Sequence, residues 1–393
     1  MMDGRSSPDP NSGSGQPINA GAPEASAGQT NQQANTFFGW LQYINYFGLF
    51  SSTLNPDDLG QPSTQALQQA ESRIAEENVN KQKGRIMTIY MCGTGSNALD
   101  ATRYTKYWAG ELVSSLYQIT EGKNYIHKLI VDGVGSGDND LPKLWVPSHL
   151  RYPNLLEKAL GIGIPARIQH ILAVIKNRPE VQETREIEEI RKQIGREPNI
   201  THINICGWSR GAAAALELCH KIAADPELKH IKINLFLCDP VAGPLQSNHD
   251  NRTVAENVEN IFFIYPQHEM SAFFNSIIPT MPKNCKAYAL VVPGGHANIV
   301  GNDNLRTNNK KKIEDFDLTT VGWICRYYAE SFLREHGTKF DETKTLHVKI
   351  SDIVKFYETV KLNQKGYKET ENYPYIINQL AGSVHKAVLG DAN

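Results

Sequence analysis

Three residues of this 393-residue chain have the types and the order needed for acyl transfer: Ser209, Asp239 and His296. Ser209 sits in NICGWSRGAAAALEL, Asn204 to Leu218, between Gly207 and Gly211 at GxSxG spacing. A serine is a weak nucleophile until a base takes its proton and a sharp strand-to-helix turn exposes its oxygen. The apolar run ITHINIC precedes it and the small residues Ala212 to Ala215 follow, so a strand enters the turn and a close-packed helix leaves it. A phosphate-binding turn would fit the same small residues, but GxGxxG and the Walker lysine are both missing.

Asp239 ends the next apolar run, LFLCDPVAGP, where Pro240 stops the strand. A carboxylate there can hold the imidazole tautomer and stabilise the imidazolium. Asp132, which ends YIHKLIVDG, is the rival acid. His296 lies in VVPGGHANIVG, a glycine-flanked loop after the last clear strand. Of the other histidines, His220 and His230 fall behind the elbow, while His249 and His268 lie in loops and stay open as alternatives. Ser209, Asp239, His296 is the chain order of α/β-hydrolases.

The oxyanion that forms during acyl transfer needs preorganised N–H donors. The backbone N–H of Arg210, next to the nucleophile, is one candidate. Thr94 and Gly95 in MCGTGSN, after the first strand, are the others, and that loop could equally cradle phosphate. DGVGSGDND, Asp132 to Asp140, has carboxylates without EF-hand spacing and reads as a flexible turn at the rim.

The elements that must position these residues alternate. IMTIYMC, YIHKLIVDG, ITHINICG, IKINLFLCD, IFFIYP and CKAYALVVPGG read as strands. LDATRYTKYWAGELVSSLYQ, PEVQETREIEEIRKQIG and RGAAAALELCHKIAAD read as helices. This predicts an α/β fold, α/β-hydrolase-like, with a mostly parallel central sheet and helices on both faces. Chemistry then gathers at the carboxyl ends of the strands.

Three stretches are expected along the chain. Residues 1–35, rich in Gly, Ser, Pro, Asn and Gln, cannot bury enough apolar surface and read as a disordered tail. Residues 36–84 combine the aromatic segment TFFGWLQYINYFGLFSS with a helical linker, a flap on the domain or a membrane-docking element. Residues 85–393 form the catalytic domain, with C-terminal helices from about Asp352.

The net charge of −2 gives no field of one sign, so nucleic acid is not an expected partner. Six scattered cysteines without a CxxC pair suggest neither zinc nor a disulfide framework, and no cofactor or metal is expected. MMDGRSSPDP lacks the apolar stretch of a Sec signal peptide, and no run approaches a spanning helix. The expectation is a soluble or peripheral-membrane protein.

Taken together, CGTGSN, DGVGSG, GWSRGAAAA, CDPVAGP and PGGHANIVG resemble the ordered motifs of one α/β-hydrolase family. It is the uncharacterised hydrolase-like domain of fungal and bacterial proteins that includes type VI secretion phospholipase effectors. The resemblance runs from about Ile86 to Gly301 and implies Ser209 as nucleophile, Asp239 as orienting acid and His296 as general base. It departs at Cys92, where the family usually has aspartate, and after His296, where Ala297 to Gly301 replace Asp-Val-Gly-Gly. It implies a lipase or A-type phospholipase acting on a lipid or phospholipid, delivered by a bacterial secretion system. A soluble esterase or thioesterase, and an inactive binding module on the same fold, are the rival readings.

Overall fold

The computed structural model describes residues 84–103, 111–136, 163–178, 185–242, 249–266, 276–292, 294–301 and 319–347, with a few positions between 352 and 359. The expected tail of residues 1–35, the aromatic segment with its linker up to residue 83, and most of the chain beyond Asp352 lie outside the described residues.

In chain order the elements are β1 (Arg85–Met91), α1 (Asp100–Arg103), α2 (Leu112–Ile119), β2 (Lys128–Val131), α3 (Ile164–Ile175) and α4 (Arg185–Ile194). Then follow β3 (Ile200–Trp208), α5 (Arg210–Ala224), β4 (Lys232–Cys238), α6 (His249–Arg252), β5 (Val258–Pro266), β6 (Lys286–Val292) and α7 (Thr319–Glu335). The strands form one six-stranded sheet in the order β2-β1-β3-β4-β5-β6. Every pairing is parallel.

Strand side chains alternate between two cores, as a sheet buried on both faces requires. Ile89, Ile205, Leu235, Leu237 and Phe263 meet the apolar sides of α3 and α5. Tyr90, Cys206, Phe236, Cys238 and Phe262 face the other way, against α2 and α7. The α/β fold with helices on both faces is therefore present.

The order places the sheet's switch point between β1 and β3. The chain leaves β1 toward β2 and later returns to β3 on β1's other side. In open parallel sheets the crevice outside the strands' carboxyl ends opens at this point. MCGTGSN and the Ser209 turn both emerge there.

Candidate active site

Ser209 joins β3 to α5 with φ 58° and ψ −127°, a conformation that non-glycine residues avoid. Such a residue carries about 1–3 kcal/mol of strain and persists only where its surroundings hold it. Here its N–H donates to the Cys238 carbonyl at 3.0 Å, and its own carbonyl accepts from Ala213 and Val241 at 3.1 and 3.2 Å.

The two flanking glycines have physical reasons. A Cβ on Gly211 would lie 2.2 Å from the Met91 carbonyl oxygen, and one on Gly207 would lie 3.0 Å from Ala212 Cα. Hydrogen in place of a side chain lets α5 begin directly against the ends of β1 and β3. The alanines from Ala212 to Ala215 continue that close contact and are buried.

Asp239 follows β4, fully buried and also at positive φ, 39°. Its N–H donates to the Ile264 carbonyl at 2.8 Å. Its Oδ2 lies 2.5 Å from His296 Nδ1. With the proton on Nδ1 donated to this carboxylate, Nε2 carries the lone pair, the tautomer a general base needs. His296 is 8% exposed. Trp208, immediately before Ser209, packs its indole on the imidazole with ring centres 5.2 Å apart. It also donates its Nε1–H to the His296 carbonyl at 3.2 Å. The histidine loop is thus tied to the acid on one side and to the serine's neighbour on the other.

The structure distinguishes the two acids. The rival acid, Asp132, bonds to the β1 loop and to Arg167. Its Oδ1 accepts the Ala98 N–H at 3.2 Å, and its carbonyl accepts Arg167 Nε at 2.6 Å. Asp132 therefore belongs to a brace around MCGTGSN. Arg167 also reaches the carbonyls of Gly133 and Gly163, and Gly133 N–H donates to Ser96. The expected flexible rim turn is, over Asp132 to Gly135, a buried strut. Residues 137–140 lie outside the described residues.

Arg210 and Thr94 are brought together. Arg210 opens α5, and its Nη1 donates to Thr94 Oγ1 at 3.1 Å, which draws the β1 loop against the elbow. The N–H of Gly95 donates to the Val134 carbonyl at 3.0 Å and is committed to the brace. That leaves the amides of Arg210 and Thr94 as the candidate pair. Burial lowers the Arg210 guanidinium from its ordinary value.

Of the competing histidines, His220 Nε2 lies 3.0 Å from the Thr253 carbonyl and His230 Nε2 lies 3.3 Å from that of Ile200. Both hold the scaffold. His249 opens α6, and His268 lies outside the described residues.

Cys92, in the β1 loop, lies close to Glu111, Asp132 and Asp100. Glu111 caps α2, its two carboxylate oxygens accepting the N–H groups of Val113 and Ser114 at 2.9 Å. Burial raises its carboxyl to about 7. Burial and the neighbouring carboxylates push the Cys92 thiol well up, so it is no thiolate nucleophile. Among the described residues no group of three or more His, Cys, Asp or Glu side chains is arranged to hold a metal ion. None of the described helices is long and apolar enough to cross a membrane.

One polar contact has no sequence signal at all. Ser276 Oγ donates to Asp239 Oδ1 from a segment 37 residues further along the chain. Trp208 is similar: its place before the serine is visible, but its grip on the histidine loop is not.

No family model matches the chain, and comparison with curated proteins finds no match. Among solved structures it is similar to that of an uncharacterized protein from Pseudomonas aeruginosa, with a TM-score of 0.51 and 16% sequence identity. The alignment covers 76% of this chain and 55% of that one, so this chain spans little more than half of that protein's length. At this identity the likeness shows the fold, and the chain is an α/β protein with a parallel sheet.

Proposed function

We propose that the chain is a serine hydrolase that cleaves carboxylic esters of lipids, as an A-type phospholipase or lipase. The observation that carries this reading is the 2.5 Å contact of His296 Nδ1 with buried Asp239, beside a serine held at positive φ. In the reaction Ser209 Oγ attacks the acyl carbonyl while His296 Nε2 takes its proton. The amides of Arg210 and Thr94 receive the developing oxyanion. His296 returns the proton to the leaving alcohol, and a water activated by the same nitrogen releases the acid.

The lipid substrate rests on the resemblance of the five motifs to phospholipase effector domains. The same resemblance favours a bacterial effector delivered by a secretion system and acting at a membrane surface. The aromatic stretch of residues 36–52 is the candidate anchor.

A fluorophosphonate probe tests the chemistry. We expect covalent labelling of the folded wild type, lost in Ser209→Ala. Labelling that survives in Ser209→Ala, or a folded wild type that takes no label, contradicts it. Hydrolysis confined to short soluble esters, without gain at a lipid interface, would instead indicate an esterase.

A further inference from the structure

Resting on the serine-hydrolase reading, we propose that Ser276 is a positioning residue for its acid: the Ser276 hydroxyl holds one oxygen of Asp239 so that the other faces His296. A carboxylate bound through a single oxygen can turn about its own axis and lose the line to the imidazole. Asp239 is bound through both, Oδ2 to His296 Nδ1 and Oδ1 to Ser276 Oγ. An ionised acceptor makes the second bond charge-assisted, and therefore stronger than a neutral one.

The segment carrying Ser276 is itself anchored to the site. Ile277 N–H donates to the Pro240 carbonyl at 2.7 Å, directly after Asp239. The Ile277 carbonyl accepts the Tyr265 hydroxyl at 2.9 Å, from the end of β5. The hydroxyl is thereby delivered from the ends of both β4 and β5. Among the described residues, Tyr265 and Cys238 also feel the Asp239 charge. Burial first, and the Asp239 charge in addition, keep both of these neutral. Ser276 thus tunes Asp239 without adding charge.

Deleting the hydroxyl has two effects with different signatures. The loosened carboxylate orients His296 less well, which slows the chemical step. Having lost a donor to its charged form, it also becomes more basic and stabilises imidazolium more, which moves the base's titration to higher pH.

The test measures the rate of Ser209 labelling by a fluorophosphonate against pH in the full chain, for wild type, Ser276→Ala and Ser276→Thr. Ser276→Ala is expected to react about tenfold more slowly, with its acid limb moved up by about half a pH unit. Ser276→Thr, which keeps the hydroxyl, is expected to recover most of the rate and the wild-type limb. Should Ser276→Ala keep the wild-type rate and profile, the proposal fails. It also fails if the rate falls only in proportion to folded protein, with the limb unmoved and no rescue by threonine. Should Ser276→Ala not fold, Ser276→Thr and Ser276→Cys decide it, since only the hydroxyl is a strong donor. A folded wild type that takes no label removes the hydrolase reading and this proposal with it, and is distinct from failure at Ser276 alone.

Discussion

Asp239 and Asp132 are chemically identical and both end buried strands, yet their surroundings assign them different work. Asp239 holds the imidazole, whereas Asp132 holds the Ala98 amide. Asp239→Asn should therefore cost roughly 10⁴ in turnover, the size of effect known for a triad acid that loses its charge. Asp132→Asn should retain most of the activity and show its cost as lower stability. Steady-state hydrolysis alongside a urea midpoint separates the two, and the reverse pattern would exchange the roles. Ser209, Asp239 and His296 can be picked out because each lies within two residues of a glycine or proline near a strand end, a local signature. Ser276 carries no such mark. Its importance comes from the Ile277 and Tyr265 contacts that bring a distant segment back to β4, and sequence spacing does not encode those.

Among the elements, the tight joint of β1 with α5 makes the sharpest prediction. In Gly211→Ala the new methyl meets the Met91 and Cys92 carbonyl oxygens at 2.2 and 2.5 Å, both backbone atoms. The expected loss is about 3 kcal/mol of stability, visible as a lower denaturation midpoint. A midpoint equal to wild type would mean that α5 does not start where described. The sheet also carries an amide ladder. Asn260 Nδ2 donates to Asn234 at 2.8 Å, Asn234 Nδ2 donates to Asn204 at 2.9 Å, and Asn204 reaches Thr338 at 3.0 Å. Asn234→Ala strands polar groups on both neighbours and should cost about 1–3 kcal/mol. Equilibrium unfolding checks it, and a neutral result would show that the ladder is not coupled.

The strands and α5 are legible in the sequence because short apolar runs bounded by turn residues leave little choice. Helices α3 and α7 keep an apolar stripe, Ile164, Ile168, Ile171 and Ile175 in one and Ile324, Tyr328 and Phe332 in the other, but each also buries charge, and what receives that charge is not legible. In α3, Arg167 is buried because three backbone carbonyls receive its guanidinium. In α7, Arg326 pairs with Glu330 at 2.7 Å, and Glu330 also accepts the Leu346 N–H. Those partners come from tertiary contacts and are invisible to periodicity.

The sheet separates the end that carries the candidate site from a structural end. Ser209, Asp239 and His296 gather at the strands' carboxyl ends. The opposite end is closed by the turn after α7, where the His336 carbonyl accepts Asn204 Nδ2 at 2.9 Å. Burial depresses the His336 imidazole to about 4, so it stays neutral in the folded protein. Above its ordinary value near 6.5 it is neutral in both states and has no effect on stability. As pH falls from about 6.5 toward 4, the unfolded chain takes up a proton that the folded one refuses, and stability is lost. His336→Asn should remove this component, so the variant gains on wild type as the solution is acidified through that window. Urea midpoints at several pH values measure it, and parallel curves would contradict it.

Whether Ser209 attacks a lipid ester is decided by giving wild type and Ser209→Ala mixed phospholipid vesicles and identifying the products by mass spectrometry. Wild type should release free fatty acid and lysophospholipid, and Ser209→Ala should leave the lipid intact. Intact lipid with both proteins, or equal release by both, would contradict it.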